Sequence, residues 1–206
     1  MLTTEMKQAY ELTQDVDHLN ELSHDYDAYV VEWPEYRDYG LKFKKPDDFK
    51  YPNHDVEFQG YESCLSRTEY PYNNVSWPII SRRMLDTLLA VGDFPHRTWG
   101  VPLVGFPDNA PEGLLKQGLK DGVRHDEFVA IQLLAELDIF DWENSVYKMH
   151  SVFPDEVDRI RKLVLKVPEG GLPPIFRLKV DPVVLYVSPE GRTALEAVNI
   201  KGVRFV

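Results

Sequence analysis

The stretch that decides the fold is residues 174–206, PIFRLKVDPVVLYVSPEGRTALEAVNIKGVRFV. Apolar side chains alternate with Arg177 and Lys179 over residues 176–180, and this period of two predicts a strand with one buried face. The apolar run at residues 183–187 predicts a second strand, covered on both faces. These thirty-odd residues are therefore expected to form the centre of a sheet.

A turn and a capped helix complete this folding unit. Asp181-Pro182 predicts the turn between the two strands, because proline fixes φ and lacks a backbone donor. Ser188 stands at the N-cap position and Pro189 at the first helical position of a helix extending over residues 190–198. The side chains expected to face the sheet from this helix are Leu195 and Val198.

Segments upstream supply the rest of a predicted α+β fold. Ser81 predicts the N-cap of a helix over residues 82–91, which ends at Gly92. Residues 128–138 predict a central strand, although their apolar run is equally compatible with a buried helix. Pro154 predicts the start of a third helix, through about residue 164. The expected architecture is one mixed sheet with a few packed helices; its strands are residues 128–138, 176–180, 183–187 and 203–206.

The first part of the chain is less regular. Residues 7–13 predict a first strand, but a helix through Leu22 fits the apolar spacing as well. Residues 44–74 are rich in turn signals and aromatics, which favours a packed, irregular region over a disordered linker. A long loop is expected through His96 and Trp99. Residues 1–74 either form a lobe or wrap a core of residues 75–206, and we expect one compact domain overall.

Charge limits the partners that the chain can have. Thirty-four acidic residues against 23 basic ones give a net charge of −11. This balance disfavours nucleic acid and anionic membranes and suits a basic protein partner, although solubility alone also explains it. Cys64 is the only cysteine, which excludes an internal disulfide. With no signal-peptide pattern and no apolar run of membrane-spanning length, the sequence predicts a cytoplasmic protein.

Motifs for chemistry are few. His125 and Asp126 are adjacent, so they cannot act on one strand face as a general base and the group that orients it. Asp138, Asp141 and Glu143 are oxygen ligands close in sequence, but their spacing lacks the glycine and closing glutamate of a calcium loop. We therefore predict no catalytic, cofactor-binding or metal-binding residues, and a protein that is not an enzyme.

Acidic residues mixed with aromatics in residues 1–55 form the candidate partner-binding segment. Thirteen acids stand there against six bases. Such a mixture suits a surface that contacts a basic cleft, whereas the alternative is a solvated loop anchored by its aromatics. The predicted contact residues are Asp15, Asp17, Glu21, Asp25, Asp27, Glu32, Trp33, Glu35 and Tyr36.

The C-terminal pattern also resembles a known family. IFRL, an apolar strand ending in Ser, the helical RTALEA and the closing IKGVRF are similar to the last segment of a bacterial polymorphic-toxin immunity family, number eleven of such families and formerly a domain of unknown function. Residues 77–92 and 128–145 are similar to its middle segments, and the resemblance weakens before Val75.

The resemblance implies an immunity protein that binds and neutralises a cognate, cytoplasmic-acting toxin by occluding its active surface. It implies no cofactor and leaves the oligomeric state open. The alternative is a small-ligand protein or enzyme that uses the aromatic-rich middle region as a pocket.

Overall fold

The computed structural model describes residues 8–31, 39–44, 54–109, 122–153, 155 and 157–206. Within these ranges strands and helices are combined as the predicted α+β class requires. The helices are α1 (Asp17–Leu22), α2 (Tyr39–Lys44), α3 (Glu62–Leu65), α4 (Arg82–Val91) and α5 (Pro189–Ala197). The strands are β1 (Tyr10–Gln14), β2 (Tyr29–Val30), β3 (Phe58–Tyr61), β4 (Ile79–Ser81), β5 (His96–Gly100), β6 (Leu103–Phe106), β7 (Val123–His125), β8 (Phe128–Leu133), β9 (Glu136–Leu137), β10 (Val146–Met149), β11 (Val157–Lys162), β12 (Ile175–Leu178), β13 (Asp181–Val187) and β14 (Val203–Phe205).

The C-terminal unit lies in a five-stranded sheet of order β14-β1-β13-β12-β9. Its pairs are antiparallel except β12 with β9, which is parallel, so the sheet is mixed as predicted. Strand β1 lies between β14 and β13, which resolves the ambiguity near the N-terminus: a strand comes first and helix α1 follows it. Strand β1, near the start of the described chain, therefore belongs to the same sheet as the C-terminal strands β13 and β14.

The other strands form separate sheets, which corrects the prediction of a single one. Strand β8 lies between β4 and β5 in a three-stranded sheet rather than beside β12. Strands β2, β3, β6 and β7 form a four-stranded sheet, and β10 with β11 forms a hairpin. The apolar run at 128–138 is a strand, but it ends at Leu133, and only residues 136–137 join the C-terminal sheet.

Both predicted helix caps are present. The Ser188 hydroxyl accepts a hydrogen bond from the backbone N–H of Gly191 at 3.0 Å, and the Ser81 hydroxyl accepts one from that of Met84 at 3.0 Å. Gly191 is also required by a close approach, because a Cβ there would lie 2.3 Å from the Pro174 carbonyl oxygen. Helices α4 and α5 pack against each other over one face of the C-terminal sheet.

Details of the C-terminal unit differ from the prediction. The turn lies at Lys179 and Val180, so Asp181-Pro182 begins strand β13 instead. Leu195 is fully buried as expected, whereas Val198 is 41% exposed, because the helix ends before it. Val183 is also exposed, so strand β13 is covered on both faces only toward its C-terminal end.

Two segments were assigned the wrong structure. The predicted loop around His96 and Trp99 forms strand β5, whose five residues all pair with β8. The predicted helix at 154–164 is wrong where the structure can test it, because residues 157–162 form strand β11; its expected first residue, Pro154, lies outside the described residues. The register against β10 shifts twice, so that Val157 and Ile160 both pack into one core despite being three apart. A β-bulge adds one residue to a strand and thereby imitates helical spacing in the sequence.

Candidate functional site

Helix α1 presents the predicted acidic segment on the surface. Leu19 is its buried residue and packs with Tyr61 and Phe106, so that the opposite side of the helix is left to its polar residues. The side chains of Asp17 and Glu21 are 71% and 70% exposed. The helix is therefore fixed to the core by an apolar contact while its carboxylates face solvent.

Two arginines from distant parts of the chain pair with these carboxylates. Arg204 donates to Asp15 at 2.8 Å and to Asp17 at 2.7 Å, and Arg67 donates to Glu21 at 3.1 Å. Exposed pairs of this kind contribute only about 0–1 kcal/mol to stability. They do hold the carboxylates in place, and they reduce the local negative charge below what the sequence predicts.

Asp25 is exposed and forms no ion pair within the described ranges, whereas Asp27 is buried. The Asp27 carboxylate lies 2.5 Å from Nε2 of His18 and accepts the backbone N–H of Tyr72 at 2.9 Å. Burial raises the pKa of Asp27, and the hydrogen bonds from His18 and Tyr72 only partly oppose this shift. Because the Asp27 side chain is buried, it cannot contact a partner, and the prediction that it does so is wrong. Its role is structural, through its hydrogen bonds to His18 and Tyr72.

Three tyrosines form a cluster that includes Tyr26, the neighbour of Asp25 in the sequence. Tyr26 stacks on Tyr72 with ring centroids 5.0 Å apart and meets Tyr29 edge-on at 5.4 Å. Tyr72 is one of the large apolar side chains that remain exposed. We name Asp17, Glu21, Asp25, Tyr26, Tyr29 and Tyr72 the acidic-aromatic surface. These tyrosines are not among the contact residues predicted from the sequence. The alternation of Asp and Tyr at residues 25–29 is the signal that indicates two of them, Tyr26 and Tyr29.

Four predicted contact residues lie outside the described residues. They are Glu32, Trp33, Glu35 and Tyr36. Of the predicted contact residues, the structure therefore describes only those before residue 32.

His125 lies between two carboxylates rather than in a catalytic pair with Asp126. Its Nε2 is 2.9 Å from Glu62 and its Nδ1 is 3.3 Å from Glu127, while Asp126 accepts from Arg124 at 2.7 Å. Burial alone would lower the pKa of His125, but the hydrogen bond and charge of Glu62, together with Glu127, outweigh it and raise the pKa. This arrangement stabilises a protonated histidine at the surface.

The acids near residue 140 have structural roles. Asp141 accepts hydrogen bonds from the backbone N–H groups of Glu143 and Asn144 at 3.1 and 3.3 Å, and Asp138 pairs with Lys179 at 3.1 Å. In the part of the chain that the structure describes, no group of three or more His, Cys, Asp or Glu is placed to hold a metal ion.

Cys64 is packed in the core beside Leu19 and Tyr61. Burial, with the nearby charge of Asp27, raises the pKa of its thiol to about 11. A thiol with so high a pKa stays protonated near neutral pH and is a poor nucleophile.

Two cavities adjoin the C-terminal sheet, and Glu11 lines both. The first, of 480 Å³, is bordered by strands β1 and β11 and by Tyr186. The second, of 220 Å³, is lined by Tyr70 and Tyr72 from the aromatic-rich middle region, by Trp77 just after it, and by Arg177 and Lys44. The second cavity therefore lies where the alternative hypothesis expects a pocket.

The sequence predicts Arg177 on the exposed face of strand β12, and this prediction is wrong. The alternation in β12 predicts an exposed side chain, yet Arg177 is 2% exposed, because residues 70–78 and helix α2 cover that face of the strand. No sequence signal reveals this cover.

Comparison of the chain with protein-family models gives no match, and no curated protein matches it significantly. Among the helices in the described ranges, none has the length and apolar character needed to cross a membrane.

Proposed function

We propose that this protein is an immunity protein, which binds and neutralises a cognate cytoplasmic-acting toxin by occluding its active surface. The observation that carries the proposal is the acidic-aromatic surface, which combines the exposed carboxylates of Asp17, Glu21 and Asp25 with the stacked pair Tyr26 and Tyr72. The resemblance of the C-terminal segment to an immunity family supports the same function.

Charge is the first physical argument for this function. The net charge of −11 and the carboxylate of Asp25 attract a basic partner and accelerate encounter, and Asp17 and Glu21 add to this attraction as far as Arg204 and Arg67 leave their charge unopposed. Many toxins that act on nucleic acid or phosphate need a basic active-site cleft, which such a surface complements. Steering of this kind acts on the association rate more than on the lifetime of the complex.

Aromatic burial is the second argument. Tyrosine is enriched at interfaces because it offers a large apolar area together with a hydroxyl, at a low cost in side-chain entropy. Tyr26, Tyr29 and Tyr72 hold one another through ring contacts, so that little further ordering is needed on binding. We expect them to determine the dissociation rate.

The direct test is co-expression with the toxin domain encoded beside this chain's gene. The expected result is rescue of growth and co-purification of the two proteins. Failure of every neighbouring toxin domain to be bound or neutralised would overturn the proposal.

A matched pair of variants tests the surface itself. D17N/E21Q/D25N removes three negative charges from the acidic-aromatic surface, and a control removes three from exposed acids elsewhere, D86N/D93N/E169Q. The first variant should slow association by about threefold to tenfold at low ionic strength, and the control should slow it much less. Equal association rates for the two variants would exclude this surface as the contact.

A further inference from the structure

The second cavity is lined by two cations that form no ion pair among the residues that the structure describes. It has a volume of 220 Å³, and both Arg177 and Lys44 line it. Arg177 is almost completely buried, and Lys44 is partly buried at the end of helix α2. Neither forms an ion pair with any residue that the structure describes. The charge of a buried group is normally matched by a partner, so this pair is unusual.

The hydrogen bonds of Arg177 leave one of its buried donors unused. Its Nη1 donates to the Phe43 carbonyl oxygen, while its Nε has no acceptor among the described residues. Burial lowers the pKa of Arg177 to about 10, although the nearby Tyr70 and Glu136 oppose that shift. Burial and the charge of Arg177 likewise lower the pKa of Lys44. The two cations therefore repel each other in a poorly solvated place.

Neutral polar groups complete the lining. The Tyr70 side chain is buried, and desolvation raises the pKa of its hydroxyl to about 12, so it stays neutral and able to donate. Gln14 also lines the cavity, as does Glu11, the one carboxylate among the described lining residues. Burial and the charge of Asp181 raise the pKa of Glu11, which favours its protonated form more than usual.

We propose that this cavity is a binding site for a small molecule bearing a compact oxyanion, a carboxylate or a phosphate, whose charge Arg177 and Lys44 neutralise. The guanidinium plane matches the two oxygens of either group, and the ammonium adds a point charge. The cavity is smaller than the roughly 300–1,000 Å³ of sites for drug-sized ligands, so the occupant is small. The cavity shares Tyr72 with the acidic-aromatic surface, but anion binding is measured on this chain alone, so either proposal can fail without the other.

Thermal unfolding and calorimetric titration of the full chain test the site. The probes are inorganic phosphate and acetate, each compared with chloride at equal ionic strength. At least one of them should raise the midpoint of unfolding in a saturable way. The stronger of the two identifies the ligand group as a phosphate or a carboxylate. No saturable effect of either probe, at millimolar concentrations, would overturn the proposal.

Helix α2 offers a matched control for the variants. K44Q removes the cation that lines the cavity and should weaken binding by about tenfold or more. K42Q removes an exposed cation two residues earlier and should leave the affinity unchanged. R177M should abolish binding, with its fold checked by circular dichroism. Equal affinities in K44Q and K42Q would show that the anion binds elsewhere and would sink the proposal.

Discussion

One face of the C-terminal sheet has two differently built halves. Over the first half, helices α4 and α5 bring Leu88 and Leu195 onto Ile175 and Val187, all of them buried. Over the second half, residues 70–78 and the end of α2 leave a cavity around the buried Arg177. The first half stabilises the fold through close packing, whereas the second holds a buried charge that forms no ion pair with any described residue. The contrast separates the part of the sheet that maintains structure from the part that is free for function.

The largest effect should come from the packed half. Leu195→Ala removes a fully buried side chain between α5 and the sheet, and it should lower the free energy of unfolding by about 2–5 kcal/mol. Val198→Ala, in the exposed residue that follows the same helix, should change it by about 0.5 kcal/mol or less. Chemical denaturation measures both. Equal losses would mean that the helix does not pack as described.

The cap of α5 should contribute less. Ser188→Ala leaves the Gly191 N–H without its acceptor in a buried place and should cost about 1 kcal/mol. Thr193→Ala is the control, since that hydroxyl donates to the Pro189 carbonyl on the exposed side of the helix. Its effect in the same denaturation experiment should stay below about 0.5 kcal/mol. A larger loss in the control than in Ser188→Ala would contradict the role of the cap.

The packed half could be predicted from sequence because its signals are local. Ser81 and Ser188 stand next to the helices they cap, and Leu195 lies in a strong apolar pattern. The cavity half could not be predicted, because the alternation around Arg177 indicates a strand but does not show which residues cover the outer face of that strand. Asp27 was misplaced for the same reason, since the Tyr72 N–H that it accepts comes from a segment 45 residues away.

The acidic-aromatic surface lies between these extremes. The carboxylates of Asp17 and Glu21 were predicted as contact residues from the acidic composition of residues 1–55, and both are exposed. Their partners Arg67 and Arg204 were not, since ion pairs between distant segments depend on the tertiary fold. Composition thus predicted that the surface is acidic but not that two arginines partly neutralise its carboxylates.

The cavity half should respond weakly to loss of its cation. Arg177→Met removes a buried charge that lacks a carboxylate partner, which is often neutral or favourable, but it also leaves the Phe43 carbonyl without its donor. In chloride buffer we expect the free energy of unfolding to change by about 1 kcal/mol or less. A loss as large as that of Leu195→Ala, measured by the same denaturation, would make Arg177 a structural residue and erase the contrast between the halves.

The smallest effect concerns a cation that does have partners. His125 lies between Glu62 and Glu127, and its folded-state pKa is raised above the ordinary value of 6.5. A raised pKa means that the protonated histidine stabilises the fold fully below about pH 6.5 and that this contribution is lost as the pH rises through the folded-state value. The difference in melting temperature between the wild type and His125→Gln should therefore be larger near about pH 5.5 than near about pH 8.5. Replacing both partners, E62Q/E127Q, should remove that dependence, whereas a difference that is the same at both pH values would show that these carboxylates do not stabilise the protonated ring. Because Arg177 has no such partners among the described residues, its stabilisation should depend on added oxyanion instead, which is the sharpest distinction between the two kinds of cation in this fold.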